Sequence, residues 1–152
     1  MNHALEKLAN EVDLASSDNE HLRMAFGLAC VERVRHLLEE PQVVACLDAL
    51  GRYVRNEIDR RTFDAARDDA ARLANQHPGS KSIDGTSHAA VSATYAVANA
   101  LAGKALQAAS YAAYATVYAY GGYAVRDPKS FAPEYAWQVT ALGALTERIS
   151  AS

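Results

Sequence analysis

The sequence predicts an all-α fold: a compact bundle of five to seven helices forming a single domain over residues 1–152. Three observations carry this expectation. Alanine makes up about a fifth of the 152 residues, and it has the best helix propensity while offering little to a strand. Apolar residues recur at intervals of three and four through most of the chain, the period of a helix with one buried face. The eight glycines and four prolines mostly punctuate those periodic stretches rather than forming a linker. A chain of this length buries roughly two-thirds of its extended surface, so neither disulfide nor metal is needed to hold it.

Each element follows from its local pattern. Leu5, Leu8, Val12 and Leu14 alternate with charged residues, which makes residues 1–18 a loosely docked helix or arm. Ser16 to Asn19 form a cap-and-turn cluster. A second helix is expected from Glu20 to Glu39, with Leu22, Phe26, Ala29, Cys30, Val34, Leu37 and Leu38 along its apolar stripe. Pro41 suits the first turn of a third helix ending near Asn56. Thr62 is the expected cap of the next, running to about Gln76 before the breaker His77-Pro78-Gly79.

Thr86 or Ser87 caps a further helix to about Ala102, and Gly103 separates it from one spanning Lys104 to Tyr120. Gly121-Gly122 ends that helix, Asp127-Pro128 opens a loop, and the last helix covers Pro133 to Arg148. Small residues on neighbouring turns, Ala89, Ala93, Val97 and Ala100 with Ala105, Ala109, Ala112 and Ala113, permit close backbone approach. They make these two alanine-rich helices the expected central pair.

Charge and targeting narrow the partners. A formal net charge of −3 with Lys and Arg interspersed among acids lacks the basic run that duplex nucleic acid demands. The stretch from Ala105 to Val125 is uncharged and long enough to span a bilayer. Its five tyrosines lie along the middle, however, where a membrane helix does not place them. The N-terminus shows no basic segment followed by an apolar core, so no signal peptide and a cytoplasmic location are expected. Two cysteines, Cys30 and Cys46, read as reduced core residues.

Chemistry is sparse. None of the five histidines forms a metal-binding pair at helical spacing, no Cys-x-x-Cys occurs, and neither a metal nor a cofactor is expected. Glu32 and His36 are four apart, which is an ordinary surface pair. His88 sits in the first turn of a predicted helix after Asp84. It can bond its own loop, contact a partner, or serve an enzyme as a base. Glu57 belongs to an acidic group with Asp59, Asp64, Asp68 and Asp69 at a helix start, either as a solvated cap or as a surface for a cationic partner. Tyr118, Tyr120 and Tyr123 lead into Arg126, a combination that anchors protein interfaces and also packs helix ends. The partner-binding candidates are thus His88, Tyr123, Arg126, Asp84 and Glu57, with no catalytic residue assigned.

An ordered set of motifs adds a resemblance. Leu28-Ala29-Cys30-Val31-Glu32-Arg33-Val34, then Ala49 to Ile58, then Ser87-His88-Ala89-Ala90 and the alanine-rich helices ending Tyr120-Gly121-Gly122-Tyr123-Ala124 resemble a predicted immunity-protein family of bacterial polymorphic-toxin systems. Cys30, Glu32, Tyr53, Glu57 and His88 match positions of that pattern. Tyr53 stands in place of a tryptophan and Asn56 in place of a glycine. The resemblance implies an all-helical cytoplasmic protein that binds and neutralises a cognate toxin, without catalysis of its own. Two other readings stand beside it: a homodimerisation or structural module, and a small-ligand protein or enzyme centred on His88.

Overall fold

Polar caps and left-handed stops delimit the helices. The structure is a computed structural model that describes residues 1–76 and 86–151. Among the described residues there are seven α-helices: α1 (His3–Glu11), α2 (Glu20–Glu32), α3 (Pro41–Val54), α4 (Arg60–Asn75), α5 (Thr86–Leu101), α6 (Ala105–Ala119) and α7 (Ala132–Ala151). The all-α bundle expected from the sequence is therefore the fold. Asn2 caps α1 by accepting the Leu5 amide at 3.1 Å. Three helices end in a residue of positive φ: Asp13 after α1 (56°), Asn56 after α3 (61°) and Gly103 after α5 (79°). In each case the following amide reaches back to the last helical turn, Leu14 to Ala9 at 2.9 Å, Glu57 to Arg52 at 2.8 Å and Lys104 to Asn99 at 2.9 Å. Asparagine tolerates that left-handed stop, which explains how Asn56 can stand where a glycine was expected.

Two boundaries differ from expectation. The second helix stops at Glu32, not Glu39, and the chain continues through a 3-10 turn at Arg35–Leu37. The backbone leaves the α-helix at Val34 (φ −115°, ψ 10°), and Leu38 is extended (ψ 130°). Pro41 accounts for the extended Glu40 (ψ 121°), because the residue before a proline is pushed out of the helical region. The start of α4 is capped by Asp59, not Thr62: its carboxylate accepts the Thr62 amide at 2.8 Å. Residues 121–131, expected as a break and loop, wind into two 3-10 turns, Gly122–Arg126 and Pro128–Phe131. The expected cap residues of α5 lead out of residues 77–85, which lie outside the described residues.

Packing follows from side-chain size. α5 and α6 form the closest helix pair, as the alanine pattern suggested, with Ala93, Ala96, Ala100, Ala105, Ala108, Ala109 and Ala112 all buried. Just as α5 packs on α2, α3, α4 and α6, α2 is a second hub and packs on α3, α5, α6 and α7. Its buried residues, Leu22, Met24, Ala25, Phe26, Gly27, Cys30 and Val31, lie on more than one face. A Cβ placed on Gly27 would sit 3.3 Å from that of Ala100, so the two backbones approach as closely as glycine permits. α1 is docked through Leu5 and Ala9, and Leu14 follows it into the core. A smaller cluster of Ala113, Val117, Ala124 and Phe131 sits under the end of α6 and the turns beyond it.

Two stability predictions arise. Ala108 is fully buried, so Ala108→Leu overpacks the interhelical seam and lowers the unfolding free energy in urea by about 1–3 kcal/mol. Unchanged stability would mean that the seam is loose. The Asp59 carboxyl is held below the usual range, first by the Thr62 backbone amide and then by the Thr62 hydroxyl. A depressed folded pKa stabilises at pH values above the unfolded value of about 3.9 and is lost as pH falls through the folded one. The melting-temperature gap between wild type and Asp59→Ala is therefore steady from neutral pH down to about 5 and closes in acid.

Candidate functional site

Alternating up-and-down connections sort the candidates between the two ends of the bundle. Tyr53 and Arg60 both bond Glu20 at the start of α2, and Glu20 and Arg60 share a cleft with Gly103 at the end of α5. Glu57, between α3 and α4, therefore lies at that end. His88 and Tyr118 stack at the other end, with ring centroids 5.1 Å apart and planes at 21°. The start of α5, the end of α6 and the 121–131 turns meet there. The structure thus brings His88, Tyr123 and Arg126 to one pole and leaves Glu57 at the opposite one. Asp84 lies outside the described residues.

The first pole is built on aromatic rings. Tyr111, Tyr114 and Tyr118 follow one another at helical spacing on α6. Tyr111 stacks on Tyr95 of α5 at 5.4 Å. Tyr114 meets Phe131 edge-on at 5.1 Å, and Phe131 contacts Tyr135 of α7 at 5.6 Å. Such pairs add fixed geometry to apolar burial. Beyond them the chain turns at Gly121, whose φ of 127° is accessible to glycine. A Cβ there would lie 2.7 Å from the ring of Tyr123, so the tyrosine folds back over bare backbone. Tyr120 and Tyr123 remain 59% and 78% exposed, the highest values among the large apolar side chains after Met1. Their mounting is ordered: Ala124 donates to the Gly121 carbonyl at 3.0 Å, and the Asp127 carboxylate accepts the Lys129 amide at 3.0 Å.

Beside this turn lies an ion pair that sequence reasoning missed. Arg33, just past α2, grips Glu134 of α7 through Nε at 3.0 Å and Nη2 at 2.6 Å. The same guanidinium lies over the Trp137 ring, 4.1 Å from its centroid. Glu134 is buried while Arg33 stays partly exposed. The hydrogen bonds that Arg33 donates to Glu134 are the main reason its pKa rises above the usual value. The 101-residue separation left no local signal, since Glu134 alone reads as a favourable acid in a first helical turn.

The other residues singled out in the sequence take different places, some in the core and some at the surface. Cys30 is buried, and burial pushes its thiol pKa well up, as befits a core residue and not a nucleophile. Glu32 binds Arg35 at 2.9 and 3.0 Å, while His36 stands apart from that pair. Tyr53 donates to Glu20 at 2.8 Å and stacks on Phe63 at 4.1 Å. Glu57 is exposed and is kept below the usual carboxyl range first by its bond with Arg55. His88 is exposed.

Among the described residues, no group of three or more His, Cys, Asp or Glu side chains is placed to hold a metal ion. No helix among them is long and apolar enough to cross a membrane. A cavity of about 470 Å³ opens between the start of α1, α6 and α7, and Gln138 lies at its wall. Gln138 is satisfied: it donates to the Ala109 carbonyl at 2.8 Å and accepts from Asn2 at 3.2 Å. Compared with known proteins, the chain matches no family model, and neither a curated protein nor a solved structure is significantly similar to it.

The Arg33–Glu134 pair gives a direct test of how this pole is held. Removing one partner of a buried pair strands the other charge, whereas replacing both with apolar side chains does not. Arg33→Met is expected to cost about 3 kcal/mol in urea unfolding. The double variant Arg33→Met with Glu134→Leu is expected to recover most of that loss. Equal losses in the single and double variants would mean that the pair itself stabilises the fold.

Proposed function

We propose that the protein is an immunity factor: it binds a cognate bacterial toxin stoichiometrically and masks the toxin's working surface. The observation that carries this reading is the exposed tyrosine pole, with Tyr120 and Tyr123 held out on hydrogen-bonded backbone. Tyrosine and arginine are enriched where interfaces draw most of their energy, and an ordered mount lowers the entropy lost on binding. The ordered motif likeness, from Leu28 to Ala124, supports the same reading. The work of catalysis belongs to the toxin in this proposal, and the complex forms in the cytoplasm. A specific complex of this kind buries at least about 1,000 Å² in total, which requires the turn together with neighbouring faces of α6 or α7.

A second reading has its own observation. Tyr111 and Tyr114 are each 38% exposed on the outer face of α6, a surface on which a second copy of the chain can stack. The homodimer reading places the tyrosines between copies; the immunity reading places them against the toxin.

Co-expression with the product of the neighbouring gene tests both. Rescue of growth together with a stable complex on size exclusion supports the immunity reading. The variant Tyr120→Ala with Tyr123→Ala is then expected to weaken the complex at least about tenfold, or 1.4 kcal/mol, with its helical circular dichroism unchanged. A folded protein that neither binds nor protects overturns the reading, and a dimer dispersed by Tyr111→Ala with Tyr114→Ala favours the alternative.

A further inference from the structure

The distribution of acids reveals what kind of surface the tyrosine pole accepts. The chain has 18 Asp and Glu, yet residues 86–126 contain none. This acid-free stretch covers α5, α6 and the Gly122–Arg126 turn, where the exposed Tyr120 and Tyr123 lie. Elsewhere, most arginines are neutralised within the chain, although the exposed Arg61 and Arg148 make no ion pair among the described residues. Arg35 is tied to Glu32 and Asp48, Arg55 to Glu57, Arg60 to Glu20 and Asp64, and Arg72 to Asp69. At the turn the pattern breaks. Arg126 and Lys129 are exposed, and neither makes an ion pair among the described residues.

The two nearest acids are already engaged. Asp127 uses a carboxylate oxygen to accept the Lys129 amide, and Glu134 is gripped by both arms of Arg33. Exposed at the turn are two phenols, a guanidinium and an ammonium, with the Asp127 carboxylate between the two cations, so the segment keeps a net positive charge. A carboxylate arriving here gains charge-assisted hydrogen bonds from Arg126 and Lys129, which outweigh the one acid that repels it. An arriving lysine or arginine meets two like charges against that one acid. That asymmetry makes the surface selective as well as adhesive.

The geometry points to the 120–129 segment as a docking patch for a carboxylate-rich protein surface, with Tyr120 and Tyr123 as anchors and Arg126 and Lys129 as the cationic rim. The inference rests on the immunity reading in taking the toxin as the natural bearer of that surface. Its chemistry is tested without the toxin. Rim charges of this kind act chiefly on the association rate, because they steer the encounter and are screened by salt.

The first arm titrates isotope-labelled full-length protein with a peptide alternating Asp and Gly, and with its Asn/Gly counterpart. The acidic peptide is expected to shift amide resonances within 120–129, and the neutral peptide is expected to leave them in place. The variant Arg126→Glu with Lys129→Glu is expected to abolish those shifts while keeping the wild-type spectrum elsewhere, and Arg126→Ala with Lys129→Ala is expected to diminish them. Shifts that map elsewhere, that match for both peptides, or that persist after charge reversal overturn the patch.

The second arm measures association with the neighbouring gene product. Charge reversal is expected to slow association at least about tenfold in low salt, and the difference to collapse near about 0.5 M salt. Equal rates at both salts overturn the acidic-partner inference while leaving immunity standing. Failure of the wild-type protein to bind or protect removes the immunity reading, and the peptide arm still decides the chemistry of the patch.

Discussion

Close approach between helices is the constraint from which the rest of this structure follows. Gly27 on α2 faces Ala100 on α5 with room for no larger side chain to enter unaided, and buried alanines continue the seam between α5 and α6. Short side chains give little apolar area each. Their stabilisation comes from dispersion between backbones brought near enough to interdigitate, so the seam tolerates neither gaps nor additions. Large side chains such as Phe26, Leu47, Leu50 and Phe63 fill the interior elsewhere, while Tyr111, Tyr114 and Tyr120 of the α6 region stay exposed.

Much of the fold was legible because helix punctuation is chemical. Pro41, Gly103 and the Gly121-Gly122 pair act on the backbone locally, and the breaks fall close to them. Pro41 forces Glu40 out of the helical region, but the earlier exit at Val34 carries no such marker, and the apolar pattern through Leu38 pointed the other way. Asp59 and Thr62 are both capping types three positions apart, and the choice between them depends on which residue leaves the helical region first. The role of α2 as hub was hidden for a different reason. A helix surrounded by neighbours buries several faces, whereas periodicity searches for one.

The candidate site was legible in composition and illegible in space. Tyr123, Arg126 and His88 share a pole because successive connections in an up-and-down bundle alternate between ends. Counting those connections places the turn after α6 on the same end as the start of α5, and Glu57 on the other. That signal was present in the predicted helix order. The Arg33–Glu134 pair was not: its partners are separated by 101 residues, and each side chain has an adequate local explanation.

The small cluster of Ala113, Val117, Ala124 and Phe131 is distinct from the main core. It supports the exposed turn from beneath, while the alanine seam supports the body. The two jobs are thereby divided among different residues. Substitutions at Tyr120, Tyr123, Arg126 or Lys129, all exposed, therefore leave the buried contacts that hold the helices together in place.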